Sequence, residues 1–378
     1  MSSPEILWNP GRATPPAVVD HGPSPRSFHR RLPGYEPTPL VDAPSLAAGL
    51  GIGRLWVKDE AWRLGLPAFK MLGASWASYR LLVAALGHEP EWDTLDDLSA
   101  ALDPIKPLTL VAATDGNHGR AVARTAKLLG LGAEILVPAG TAPARIDAIA
   151  SEGANVSVVD GTYDDAIAAS AALASDDHLV VSDTSWPGYA EVPGWVIDGY
   201  TTIFEEVDEQ LAAAGSAPLD AVVVQMGVGA LTAAVMEHYR AVDGAGPLTI
   251  VVEPDTAACG LRSAAAGELI DVPGPHRSIM AGLNCGRASE LAWPRVVAGA
   301  DAFVAVDDEA AERAMRDLAG IAITAGETGG SGLAGLRAFV EGQPGTLGPD
   351  STVLVINTEG PTDPEGYERI VGVAVAAR

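Results

Sequence analysis

Short apolar runs alternate with amphipathic stretches along most of the chain. Residues 108–113, 133–137, 155–159 and 179–182 are brief, apolar and bounded by turn formers, which predicts buried strands. Between them, 118–130, 142–153 and 162–175 carry helical spacing. Farther on, 221–225, 248–253, 302–306 and 352–357 repeat the strand pattern, again with helices between. Such alternation predicts parallel sheets with helices on both faces, and unbroken apolar strands fit burial on both sides. Residues 1–37 are rich in Pro, Gly and Arg with little periodicity, and read as an arm lying over a domain. The long amphipathic segment 193–215 is a candidate domain joint.

Composition narrows the partners more than the fold. The 378 residues are 48% apolar, enough to bury a large core. Acids outnumber bases 49 to 24, giving a net charge of −25. Phosphate contacts need surplus Lys and Arg, so the balance argues against a nucleic-acid or anionic-membrane binder and for a solvated acidic surface. Two cysteines, Cys259 and Cys285, form no disulfide framework, and the histidines lack H-x-x-x-H spacing, so no metal site is expected. No uncharged apolar stretch is long enough to span a bilayer. Residues 1–16 lack a basic start followed by an apolar run, so no signal peptide is expected and the chain reads as cytoplasmic.

Ligands of open α/β folds bind on loops at the carboxyl ends of strands. After 108–113 comes Thr114-Asp115-Gly116-Asn117-His118-Gly119, entering a helix whose free N–H groups suit an anion. A helix cap needs one Asp or Asn, and here several polar groups crowd together with glycines. After 221–225 comes Met226-Gly227-Val228-Gly229-Ala230-Leu231, a phosphate-cradle arrangement at a helix start. This loop also half-matches a dinucleotide fingerprint, with Thr232 in place of the third glycine. Glu253, ending the next strand, stands where a ribose-binding acid belongs. After 179–182 comes Asp183-Thr184-Ser185-Trp186-Pro187-Gly188-Tyr189, in which Asp183 is a turn residue or a pocket acid and the two aromatics a mild sign of a pocket wall.

Only four lysines are present. Lys127 shares a polar helical face with Arg120 and Arg124, Lys106 sits in a Pro-flanked turn, and Lys58 adjoins Asp59 and Glu60 as a paired or exposed charge. Lys70 lies in Leu66-Pro67-Ala68-Phe69-Lys70-Met71-Leu72-Gly73, without a carboxylate nearby in sequence. An apolar setting would favour its neutral amine, which can form a Schiff base with an aldehyde cofactor; the bland alternative is a snorkelling lysine at a helix start. A reactive lysine, a phosphate loop and an Asn-bearing loop together fit pyridoxal 5'-phosphate (PLP). Lys70 would bind its aldehyde, Gly227, Val228, Gly229, Ala230 and Leu231 its phosphate, Asn117 the ring hydroxyl, and Thr358, at the end of the last strand, the pyridine nitrogen.

With these pieces the sequence resembles the tryptophan-synthase-β-like, fold type II PLP enzymes, and within them the diaminopropionate ammonia-lyases. The resemblance is carried by Ala68-Phe69-Lys70-Met71-Leu72-Gly73, by Thr114-Asp115-Gly116-Asn117-His118-Gly119-Arg120, by Asp183-Thr184-Ser185-Trp186-Pro187-Gly188-Tyr189 and by Met280-Ala281-Gly282-Leu283-Asn284-Cys285-Gly286. It runs from Leu32 to Pro364. Generic relatives of this fold usually carry Ser or Thr where Asp115 stands, and that Asp makes the match specific. The resemblance implies an α/β fold of two open, twisted, mostly parallel sheets flanked by helices, with a smaller domain inserted in a larger one. By eye, 76–192 is the small domain and 1–75 with 193–378 the large PLP-binding one, with PLP in the cleft.

The same resemblance implies β-elimination of 2,3-diaminopropionate to pyruvate and ammonia by a homodimer. Lys70 would carry PLP and act as base on the L-substrate, Asp115 would be base for the D-substrate, and Asp183 would lie beside the second amino group. Two carboxylates complement a dicationic amino-acid substrate. Open alternatives are a serine or threonine dehydratase or another β-eliminase of the same fold, an NAD-dependent dehydrogenase using the segment from Gly227 to Glu253, and a non-catalytic ligand-binding relative. The segment Glu327-Thr328-Gly329-Gly330-Ser331 looks like a further pocket edge without an assignable role.

Overall fold

Where the sequence runs apolar without a break, the chain forms strands covered on both faces. The computed structural model describes residues 4–14, 16, 24–114, 116–240 and 246–375. Their strands are β1 (Glu5–Trp8), β2 (Leu40–Asp42), β3 (Arg54–Asp59), β4 (Thr109–Ala113), β5 (Gly132–Pro138), β6 (Asn155–Val159), β7 (His178–Val180), β8 (Ala221–Gln225), β9 (Leu248–Pro254), β10 (Ala302–Val306) and β11 (Thr352–Asn357). The architecture is α/β with parallel-rich sheets, and the chain divides into two compact units.

The first unit comprises the described residues of Met1–Asp20, Pro37–Trp62 and Ile203–Arg378. It holds a seven-stranded sheet in the order β1-β10-β9-β8-β11-β3-β2. The five inner strands run parallel, and β1 and β2 pair antiparallel at the two edges. Every residue of β8, β10 and β11 is buried. Val223, Ile250, Val252, Val304, Val353 and Val355 pack in one cluster with Leu333, Leu336 and Phe339 of the helix Glu327–Gly342. Area-proportional apolar burial of this kind is the main driving force for the fold.

The second unit comprises described residues of His21–Glu36 and Arg63–Thr202. Its four-stranded sheet has the order β6-β5-β4-β7, all parallel. The helix Asn117–Leu129 turns Ala121, Val122, Ala126 and Leu129 inward and leaves Lys127 outside. The predicted long helix spans Glu191–Ala213, and the division between units falls within it, after Thr202.

The N-terminal arm differs from expectation. Residues Glu5–Trp8 form a true edge strand, in register from Glu5 opposite Ala305 to Trp8 opposite Ala302. Four residues at a sheet edge are too few to announce a period. Tertiary contacts hold them instead: the Trp8 ring meets Phe339 edge-on at 5.6 Å, and its Nε1 donates to Gln343 Oε1 at 3.0 Å.

Candidate active site

In the second unit, Lys70 immediately precedes the helix Met71–Leu86. The setting expected for it was apolar, and the structure corrects this. Lys70 Nζ donates to Asp183 Oδ2 at 2.7 Å, across 113 residues of sequence. The lysine side chain is about a quarter exposed and Asp183 is buried. Burial pushes the Asp183 carboxyl up, but Lys70 and then His118 oppose it more strongly, and the carboxyl ends at about 2. It is therefore an anion throughout the neutral range. His118 is itself buried; its Nε2 donates to the Val181 carbonyl at 2.8 Å, leaving Nδ1 3.9 Å from Asp183 Oδ2. The Phe69 ring lies beside the ammonium, 5.4 Å from Nζ, and packs on the Tyr200 ring at 4.6 Å.

The loop bearing Asp183 is tied down by its own aromatics. Tyr189 Oη donates to the Val180 carbonyl at 2.8 Å and accepts from Ser182 N–H at 3.1 Å. Trp186 stacks on Tyr189 with ring centroids 4.0 Å apart. These rings brace the backbone on both sides of Asp183.

On the neighbouring loop, Asn117 opens the helix Asn117–Leu129, and Asp115 lies outside the described residues. The N-cap position is Gly116, and Thr114, two residues earlier, serves the helix start: its Oγ1 accepts from Gly116 N–H at 2.9 Å and from Gly119 N–H at 3.1 Å.

In the first unit, Met226–Gly229 link β8 to the helix Ala230–Arg240, whose first two residues are Ala230 and Leu231. A Cβ at Gly227 would stand 2.8 Å from the Gly282 carbonyl oxygen, so only glycine fits this approach to the segment Met280–Gly286. Gly229 takes φ +99°, which L side chains rarely adopt. Ser289 N–H donates to Val228 O at 2.9 Å and anchors the loop from outside. Thr232, in place of a third fingerprint glycine, is buried with its hydroxyl donating to the Gln225 carbonyl at 3.4 Å. Glu253 does not present its carboxylate to a ligand. It is fully buried and accepts N–H groups from Gly260 and Leu261 at 2.7 and 2.8 Å, at the start of the helix Cys259–Ala266. That geometry removes the ribose-binding role on which the dehydrogenase reading rests.

Thr358 follows β11 and is buried. Its Oγ1 accepts from Gln225 Nε2 at 2.9 Å. Gln225 went unnoticed in the sequence because nothing local marks the last residue of an apolar strand as special. Lys58 is paired, as expected, and its partners include groups remote in sequence. Fully buried in β3, it donates to Glu206 Oε2 at 2.7 Å, Thr38 O at 2.9 Å and Gln210 Oε1 at 3.0 Å.

Among the described residues, no group of three His, Cys, Asp or Glu side chains could hold a metal ion, and no helix is long and apolar enough to cross a membrane. Each unit by itself carries donors of a kind that suits part of a phosphorylated aldehyde: the second a lysine amine, the first a helix start with backbone N–H groups behind Gly227 and Gly229, and a buried hydroxyl.

Comparison with known proteins agrees. Residues 31–359 match the family model described as pyridoxal-phosphate dependent enzyme. Diaminopropionate ammonia-lyase of Escherichia coli strain K12 is 38% identical over 92% of this chain and 90% of that protein. The Salmonella typhimurium protein of the same name is 36% identical over 91% and 90%. The crystal structure of the Escherichia coli enzyme in complex with D-serine superposes with a TM-score of 0.89 at 35% identity, covering 98% of this chain and 97% of that one. The chain belongs to the pyridoxal-phosphate-dependent enzymes of fold type II and, within them, to the diaminopropionate ammonia-lyases.

Proposed function

We propose that the protein converts 2,3-diaminopropionate and water to pyruvate and two molecules of ammonia, with pyridoxal 5'-phosphate as cofactor. The observation that carries this reading, beside the family, is the buried carboxylate of Asp183 held 2.7 Å from the Lys70 amine. A substrate with two ammonium groups needs such an anion, whereas serine or threonine has a neutral hydroxyl at the same position.

When bound, the cofactor supplies an electron sink for the carbanion formed at the substrate's α-carbon. Lys70 would hold its aldehyde carbon and then, as the free amine, take the α-proton of the L-substrate. Asp115 is assigned the same task for the D-substrate. Asp183 would keep the β-amino group protonated, because an amine departs as ammonia only with its extra proton. A carboxylate accepts a hydrogen bond from an alkylammonium without removing its proton, because the ammonium is by far the weaker acid. The amides of Gly227, Val228, Gly229, Ala230 and Leu231 would bind the phosphate, Asn117 the ring hydroxyl and Thr358 the pyridine nitrogen. We read the enzyme as a cytoplasmic homodimer, which light scattering and fractionation would check.

The test is pyruvate release from D- and L-diaminopropionate beside D- and L-serine, with borohydride trapping of the cofactor. Trapping at Lys70 and preference for the diamine are expected. A clear preference for serine would move the protein to the dehydratases of the same fold, and a protein that takes up no cofactor would overturn the reading altogether. Asp115→Asn should impair turnover of the D-isomer more than of the L-isomer; equal losses would refute the division of labour between bases.

A further inference from the structure

Gln225 is the last residue of β8 and is 3% exposed. Its Nε2 lies within hydrogen-bonding distance of four acceptors: Thr358 Oγ1 at 2.9 Å, Thr328 O at 3.0 Å, Ile356 O at 3.0 Å and Gly329 O at 3.4 Å. The opposite side-chain atom, Oε1, is buried without a hydrogen-bond partner. Oxygen and nitrogen of an amide are assigned from the surrounding network. Here the assignment is forced, because three of the four neighbours are backbone carbonyls, which only accept. A flipped amide would set Oε1 against all of them.

The consequence reaches Thr358. A threonine hydroxyl has one proton and two lone pairs. Gln225 donates to it, so one lone pair is used and the proton must point elsewhere. None of the hydrogen bonds formed by the described residues uses that proton. The helix Glu327–Gly342 completes the arrangement. A Cβ on Gly329 would meet Asn357 Oδ1 at 2.2 Å, so glycine there lets the helix start bring the Thr328 and Gly329 carbonyls up to the amide. This accounts for the Glu327–Ser331 segment: its backbone fixes the orientation of Gln225.

We propose that Gln225 is a positioning residue that sets the direction of the Thr358 hydroxyl proton, making Thr358 an obligate hydrogen-bond donor to the cofactor's pyridine nitrogen and so keeping that nitrogen unprotonated. The inference rests on the reading that Thr358 meets the pyridine nitrogen. Without the amide, its two N–H groups are lost from among these acceptors, while Thr328 O keeps the Ser331 hydroxyl at 2.7 Å. The Thr358 hydroxyl is then free to turn its proton inward, toward the place the amide left, and so to present a lone pair outward. A pyridine nitrogen facing a lone pair is stabilised in its protonated form.

The experiment is nitrogen-15 NMR of holoenzyme loaded with cofactor labelled at the pyridine nitrogen, for wild type, Gln225→Met, Thr358→Val and Thr358→Ser. Wild type should show a neutral, hydrogen-bonded pyridine; a pyridinium signal in wild type overturns the proposal and needs no variant. Gln225→Met should shift the resonance toward that of a protonated nitrogen. Thr358→Val should also move it, and Thr358→Ser should leave it in place. Gln225→Met should further lower kcat about tenfold with KM little changed, since one hydrogen bond to the cofactor is affected and no substrate contact. If Thr358→Val moves the signal and Gln225→Met does not, the role of Gln225 is refuted while Thr358 keeps its contact. If Thr358→Val leaves the signal in place, Thr358 is not the pyridine partner and the inference falls with that reading.

Discussion

Glu253 gives the stability of this protein a pH dependence of unusual sign for a carboxylate. Burial raises its pKa from 4.5 to about 7, and the N–H groups of Gly260 and Leu261 only partly oppose the rise. A group whose pKa is higher folded than unfolded contributes stability that is complete below the unfolded value and is lost as pH rises through the folded one. Glu253 therefore disfavours folding progressively from about pH 4.5 to about pH 7. At 1.36 kcal/mol for each pH unit, the whole loss is roughly 3 kcal/mol. Glu253→Gln removes the titration. It adds a constant cost, since an amide offers one oxygen where two N–H groups need acceptors. Urea unfolding of both proteins at several pH values isolates the effect: the wild-type minus variant difference should fall by roughly 3 kcal/mol between pH 4.5 and 7.5 and be flat above. Parallel curves would refute the reasoning. A difference that grows with pH would show that the two N–H groups outweigh burial and hold the carboxyl low.

Other outcomes follow from the two ion pairs. Lys70→Ala should abolish pyruvate release and borohydride labelling together; retained turnover would remove Lys70 from the chemistry. Asp183→Asn should lower kcat/KM for diaminopropionate by at least about tenfold, the loss of one charged contact in the transition state, in steady-state assays. In the cofactor-free protein, the Asp183 carboxyl is depressed to about 2, so its stabilising effect is full above its unfolded pKa of 3.8 and is lost as pH falls toward 2. Acid unfolding should accordingly be less steep in Asp183→Asn. Lys58→Met should destabilise the fold by about 3–5 kcal/mol in urea titrations, because it takes the Lys58 ammonium away from the buried Glu206 carboxylate.

Much of the fold was legible because buried parallel strands are continuous apolar runs. The segments predicted at 155–159, 221–225, 302–306 and 352–357 coincide with β6, β8, β10 and β11. The edge strands escaped, since β1 and β2 are three or four residues long and half-exposed. Among the proposed site residues, loops after strands pointed to Asn117, Asp183 and the Gly227 loop, and the scarcity of lysines pointed to Lys70. Their electrostatics did not follow from the sequence. Lys70 looked isolated because its carboxylate is 113 residues away, and Lys58 looked locally paired because Glu206 is 148 residues away. Glu253 matched a ribose-binding position by spacing alone, and only its backbone partners show it capping a helix. The Thr114 hydroxyl serves the start of the helix Asn117–Leu129 by accepting from Gly119 N–H.

The antiparallel margins of the seven-stranded sheet have a consequence for solubility. The inner strand β10, Ala302–Val306, is wholly buried and apolar, the kind of segment that templates intermolecular β-pairing when its edge is open. β1 occupies that edge with four residues whose ends, Glu5 and Trp8, are exposed, and Glu5 is tied to Arg262 by a two-point ion pair. The N-terminal strand thus works as a stopper: four residues long and pinned at one end by the Glu5–Arg262 pair, it is too short to recruit another strand and ends the sheet. A chain trimmed of its first ten residues would keep every proposed site residue, yet display an unprotected hydrophobic edge and tend to self-associate into aggregates.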